Sequence, residues 1–240
     1  MAEQTVPPLV REGAMRTWFQ ALTSTRGYDL AIRACFLCYI LFLALPNAVG
    51  VAARVRVQSG TWDLALLADI LARTGVLLFF VLVALLVLVR TRPLRKAQGL
   101  QPRLSALAGS CLLLSMALFP RHDLSIGLNL LSAGLIFLGH ILAVFALAWL
   151  GRSFSIMAEA RRLITDGPYA LVRHPLYVAE AIAAIGLFLQ YASAWTALLM
   201  VASFAFQLQR MRNEEQILRE TFPEYTAYAA RTRRLIPGVY

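Results

Sequence analysis

The amino-acid sequence predicts an all-α integral membrane protein. It has about six transmembrane helices, the last two a short helical hairpin, with a cytosolic loop and a C-terminal helical tail. Three observations predict this. Of 240 residues, 59% are hydrophobic and 15% charged, and mean hydropathy is +0.65; a soluble globular chain carries about 25% charged residues. The apolar residues gather in runs too long for core helices. The basic residues are shared unequally between alternate loops, as the positive-inside rule requires of a multi-pass protein. Backbone in lipid must satisfy its own hydrogen bonds, and barrel-type alternation is absent, so the spans are read as helices.

The spans are read at 31–53, 64–89, 104–119, 124–150, 176–190 and 194–209. Residues 190–195 (Gln-Tyr-Ala-Ser-Ala-Trp) allow a tight turn between the last two. Ahead of them, 1–30 reads as a cytosolic or interfacial arm without a signal-peptide apolar core, and 14–22 could lie along the interface. Residues 31–150 read as a four-helix transmembrane region. Residues 151–240 hold a cofactor-binding loop, the hairpin and the tail, all within one membrane domain.

The N-terminal arm, the 90–103 and 151–175 loops and the tail from 210 hold 18 of the 23 Lys+Arg residues; the opposite loops hold only Arg54, Arg56 and Arg121. This places both termini in the cytosol, on the same side as the 164–177 loop. The net charge of +10 is read as contact with membrane lipid headgroups, not nucleic acid, because the basic residues flank spans. All the basic residues except Lys96 are Arg, and Ala and Leu are abundant, which fits a bacterial inner membrane. Cys35 and Cys38 lie inside the first span and Cys111 stands alone; all three are read as small apolar packers, and no metal site is expected.

Some polar residues inside the spans need weighing. Asp69 and Arg73, four apart, share a helix face and are expected to pair. Arg33 can snorkel to the interface. His140 is expected to bond a neighbouring helix.

The chemistry is concentrated in residues 164–177, Ile-Thr-Asp-Gly-Pro-Tyr-Ala-Leu-Val-Arg-His-Pro-Leu-Tyr. Gly167-Pro168 predicts a rigid turn that aims Tyr169. Pro175 suits the first position of a helix, which puts His174 at the N-cap. There the helix dipole favours the neutral imidazole, and unpaired N–H groups can receive an anion. In the tail, Arg210, Glu214, Ile217 and Leu218 share a face. The acidic pair Glu214-Glu215 follows a span that ends on the positive side, against the usual composition there. Phe222-Pro223-Glu224-Tyr225, Tyr228 and Arg231, Arg233 and Arg234 could cap a site or lie on headgroups.

Gly-Pro-Tyr, Arg-His-Pro-x-Tyr, a hairpin, Arg-x-x-x-Glu-Glu and a Tyr-rich tail ending in Ile236-Pro237, in this order over about 150–240, resemble the isoprenylcysteine carboxyl methyltransferase family. Phospholipid N-methyltransferases are similar. The resemblance implies S-adenosyl-L-methionine as methyl donor, in a cytosol-facing pocket walled by loop, hairpin and tail. By motif position it implies cofactor contacts from Glu159, Arg161, Arg162, Leu163, Ile164, Tyr169, His174, Pro175, Leu176, Tyr177 and Glu214. It implies Arg210 as the catalytic, substrate-holding residue. The chain departs from the eukaryotic pattern at Glu159 (Gln there), at Ser155-Ile156 (Asn-His there) and at Arg161 (His there).

The chemistry agrees with methyl transfer, in which the protein mainly supplies proximity and orientation. A carboxylate acceptor is ionised at neutral pH and needs no base; Arg210 would hold it by charge-assisted bonds. An amine acceptor would need one, with Glu214 or Glu215 nearest. The expected substrate is lipophilic and carboxylate-bearing. The rival readings are an NADPH-dependent sterol or lipid reductase and a non-enzymatic membrane subunit or transporter.

Overall fold

A computed structural model describes residues 26–57, 63–116, 119–120, 122–155 and 157–239. The chain divides into two compact units, Met1–Leu43 and Ala44–Tyr240. In the first, the described residues are the opening turns of helix α1 (Arg26–Val57). The second holds the rest of α1 and all later elements. These are α2 (Leu64–Val89), β1 (Arg95–Lys96), α3 (Gln101–Ser115), α4 (Ile126–Leu150), a 3-10 turn (Gly151–Ser153), β2 (Glu159–Ala160), α5 (Pro168–Leu171), α6 (Pro175–Gln190), α7 (Ala194–Thr221) and α8 (Tyr225–Arg231).

The helix starts have local causes. Asp63 caps α2 by accepting from the Leu66 amide at 2.6 Å, and Ser193 with Thr196 forms a reciprocal capping box at α7, each satisfying donors that a helix start leaves unpaired. Within the second unit, α4 packs between α2 and α6, and α3 packs on α7. The α4–α6 contact depends on small residues. A Cβ on Gly139 would stand 2.5 Å from the Ala183 amide nitrogen, and one on Gly186 would stand 2.8 Å from the Ser132 carbonyl. The Ser132 hydroxyl donates to the Gly186 carbonyl at 2.8 Å and accepts from Gln190 at 2.9 Å, so a polar clasp closes this crossing.

Among the described residues three helical segments are long and apolar enough to cross a membrane: Arg33–Arg56, Leu64–Val89 and Ile126–Ser153. The six-span expectation is therefore met in part. The stretch expected at 104–119 is a helix of 15 residues from Gln101 to Ser115. Helix α6 has 16 residues, about 24 Å at 1.5 Å per residue against a hydrocarbon core of about 30 Å. The last span was expected to end at 209, yet α7 runs 28 residues to Thr221. Polar residues change a helix's surroundings without ending it. The end comes at Phe222, extended at φ −120° and ψ 110°, where Pro223 disfavours helical backbone in the residue before it.

The all-α expectation also misses a small antiparallel pairing of β1 with β2, Arg95 opposite Ala160 and Lys96 opposite Glu159. It ties the 90–103 loop to the segment carrying Glu159. Asp69 pairs with Arg73 at 2.9 Å as expected, and Arg54 of α1 joins them. His140 bonds the Ile136 carbonyl of its own helix at 2.7 Å, not a neighbouring helix, and meets Phe79 of α2 edge-on. The three cysteines are exposed, so they do not pack within this chain as expected. The interfacial segment read at 14–22 lies outside the described residues.

Candidate functional site

The turn before Tyr169 is built as its residues demand. Gly167 has φ +59° and ψ −130°, a region closed to side-chain-bearing residues. A Cβ there would also stand 2.5 Å from the Trp149 ring. Pro168 then opens α5, and Tyr169 is buried, its carbonyl accepting from the Tyr228 hydroxyl at 2.7 Å. Pro175 occupies the first turn of α6 and His174 its N-cap position. The His174 side chain makes no cap bond; Nε2 lies 3.3 Å from Glu215 Oε1. A carboxylate can only accept, so Nε2 carries the proton.

A recess opens at the shared end of α4 and α6. It is walled by residues 153–155 and 157–164, α5, the start of α6, the polar half of α7, and α8. It encloses about 820 Å³ of non-atom space, its open mouth included. Of the residues singled out in the sequence, Glu159, Arg161, Arg162, Leu163, Ile164, Tyr169, His174, Leu176, Tyr177, Arg210 and Glu214 all line it; Pro175 does not and serves the helix start instead.

The centre of the recess is a carboxylate beside a guanidinium. Glu214 Oε1 accepts from the Tyr177 hydroxyl at 2.6 Å and from Arg210 Nε at 3.1 Å. Its Oε2 has His174 Nδ1 at 3.9 Å, beyond hydrogen-bond range. The Arg210 guanidinium is buried and lies over the Tyr177 ring at 5.2 Å. Arg210 and Glu214 thus form the intrahelical pair that a solvated face would carry, but inside the recess. Among the described residues the terminal nitrogens of Arg210 make no hydrogen bond. Glu159 Oε2 accepts from Ser155 Oγ at 2.7 Å and pairs with buried Arg161, which fixes the lip. Burial, and then the charge of Glu214, push the Tyr169 phenol up from its ordinary value, so it stays a neutral hydroxyl.

For two residues of this region the role was not legible in the sequence. Glu215, fully buried, is a hub for three arginines and His174. Arg234 Nη2 lies at 2.9 Å, Arg173 Nε at 3.0 Å, Arg219 Nη2 at 3.2 Å and His174 Nε2 at 3.3 Å. Burial alone would raise its pKa. The hydrogen bonds from His174 and Arg234 and the charges of His174 and Arg173 outweigh this and hold the carboxyl well below the usual carboxylate range. The hub latches the tail: Arg173 N donates to Arg233 O at 2.7 Å, and His174 N to Arg234 O at 3.1 Å. Only Arg219, at i+4, was readable as a partner. The second is Glu180, one turn further along α6 than Tyr177, which accepts from Gln207 Nε2 at 2.8 Å. An acidic residue inside an apolar helix was the signal available for it.

The donor set suits S-adenosylmethionine. Carboxylates can take a cation or hydroxyls, arginines an anionic end, and aromatic and aliphatic walls an adenine. One buried hydroxyl in the lining, that of Tyr225, lacks a protein partner.

Residues 132–220 match the model of the isoprenylcysteine carboxyl methyltransferase (ICMT) family. The chain is 33% identical over 116 residues, 48% of its length, to nickel-cobalt-cadmium resistance protein NccN of Alcaligenes xylosoxydans xylosoxydans, of which the match spans 53%. It is 37% identical over 97 residues, 38% of the chain, to cobalt-zinc-cadmium resistance protein CzcN of Cupriavidus metallidurans, spanning 45% of that protein. It is 32% identical over 112 residues, 44% of the chain, to protein-S-isoprenylcysteine O-methyltransferase B of Arabidopsis thaliana, spanning 57% of it. The chain thus covers about half the length of each relative.

Proposed function

We propose, from the match of residues 132–220 to the model of the isoprenylcysteine carboxyl methyltransferase family, that this protein is an integral membrane methyltransferase. It uses S-adenosyl-L-methionine and acts on a lipophilic, carboxylate-bearing acceptor. The observation that carries this reading is the recess centre. There the terminal nitrogens of Arg210 and the Oε2 oxygen of Glu214, side by side on α7, lack hydrogen-bond partners among the described residues. When bound, the cofactor supplies a methyl group on a sulfonium, already activated for in-line displacement.

The residues divide the remaining work. Glu214, oriented by Tyr177 and Arg210, takes a donor group of the cofactor. Glu159, Arg161, Arg162, Leu163, Ile164, Tyr169, His174, Leu176 and Tyr177 wall it in, and Pro175 holds the start of α6. Arg210 holds the acceptor carboxylate with its two terminal nitrogens. Because that carboxylate is ionised at neutral pH, no residue has to remove a proton. Esterification neutralises it and weakens its bond to Arg210, which favours release.

In this reading α3, α6 and the apolar half of α7 complete six spans in a bacterial inner membrane. Both termini and the recess face the cytosol, and the acceptor arrives from the bilayer. The metal-resistance names of two relatives supply a setting: a strain without this protein would be scored for growth with nickel, cobalt or cadmium. The decisive experiment is calorimetry on the purified protein with S-adenosylhomocysteine and with NADPH. Binding of the first is expected; binding of NADPH alone would replace the methyltransferase by a reductase. Labelled methyl donor with lipid extracts then identifies the acceptor.

A further inference from the structure

We propose that the Tyr225 hydroxyl is a direct ligand contact of the recess, donating a hydrogen bond to the bound nucleoside cofactor. This rests on the methyltransferase reading above and extends its binding set to the tail.

Tyr225 is the first residue of α8 and is 1% exposed. Its ring is fixed on two sides. Tyr228 meets it edge-on at 5.8 Å, and the Arg219 guanidinium carbon lies over it at 5.6 Å. Its backbone N–H is used by the Phe222 carbonyl at 3.1 Å. The ring therefore cannot swing to find solvent. Yet the hydroxyl is buried and has no hydrogen-bond partner among the described residues, and the residue lines the recess.

Leaving a buried hydroxyl unpaired is unfavourable, because it gives up its bonds to water for nothing. Packing here would be served as well by Phe, which carries no such cost. The neighbouring Tyr228 makes the contrast. It lines the same recess, but its hydroxyl is spent on the Tyr169 carbonyl at 2.7 Å. Tyr228 holds the wall together, whereas Tyr225 holds out an unused donor. A group in the recess with a lone pair would satisfy it, and the cofactor's carboxylate, ribose oxygens and ring nitrogens all qualify.

The test is Tyr225→Phe, read by thermal unfolding without ligand and by calorimetry with S-adenosylhomocysteine. The expected result has opposite signs in the two assays. The ligand-free variant melts at or above the parent's temperature, because an unpaired polar atom has been removed. Its affinity for S-adenosylhomocysteine falls about 5- to 10-fold, the loss of one hydrogen bond. Tyr228→Phe gives the reverse pattern, a lower melting temperature and a smaller change in affinity. Unchanged affinity in Tyr225→Phe overturns the inference. So does a melting temperature lowered with affinity kept, which would mean that a trapped water or a protein group satisfies the hydroxyl. If the parent itself fails to bind S-adenosylhomocysteine, the methyltransferase reading falls and takes this contact with it. If only the variant behaves like the parent, the contact alone falls.

Discussion

Replacing Glu215 by Gln removes one negative charge at constant shape from the point where loop, helix and tail meet. The cost follows from the burial of each partner. Arg219 is 48% exposed, and its i,i+4 pair contributes a few tenths of a kcal/mol. Arg234, 23% exposed, contributes more, discounted for screening. Arg173 and His174, at 11% and 7%, carry the main loss, because they are left in a buried site without a counter-charge. Removing one partner of a buried ionic network costs about 3–5 kcal/mol. At roughly 2–4 °C per kcal/mol for a chain of this size, Glu215→Gln should melt about 6–20 °C below the parent in detergent. The tail should also be released, with tryptic cleavage after Arg233 and Arg234 faster by about 10-fold or more. Arg234→Ala should cost less, about 1 kcal/mol, because Glu215 keeps three partners. The carboxyl adds a pH signature. Its folded pKa is depressed below the reference of 4.5, so its stabilisation is complete above that value and is lost as pH falls through the lower folded value. The parent should therefore lose stability on acidification more steeply than the Gln variant. A Gln variant melting within a degree of the parent, with an equally protected tail, would refute the hub as a structural latch.

Other outcomes follow from the same geometry. Glu214→Ala should weaken S-adenosylhomocysteine binding about 10- to 100-fold. Arg210→Ala should leave that affinity within about 3-fold while cutting turnover at least about 100-fold; if both variants bind normally, the site assignment is wrong. Gly167→Ala forces a Cβ into a positive-φ position and against Trp149. It should cost about 1–3 kcal/mol and lower cofactor affinity by displacing Tyr169, with melting and calorimetry as the checks.

Some of the site was readable because its causes are local. Gly167-Pro168 and Pro175 act through their own backbones, so the turn and the helix start were legible residue by residue. Arg210 and Glu214 were legible as an i,i+4 pair. The burial of Arg210 was not, because it depends on α6 lying opposite. Glu215 stood beside Glu214 in the chain with nothing local to separate their roles. Three of its four partners, Arg173, His174 and Arg234, come from 42, 41 and 19 positions away.

The sequence alone determined that the chain is helical and largely apolar, where α2, α6 and α7 begin, and which residues hold the polar chemistry. Helix periodicity, proline and glycine geometry and hydrophobic composition act over a few residues and need no partner. Only the tertiary structure decided which carboxylate faces the recess and which locks the tail. It also decided that Arg210 is buried and that the Tyr225 hydroxyl is left unpaired. Burial and pairing arise from residues far apart in the chain, and they exist only once α4, α6 and α7 have packed.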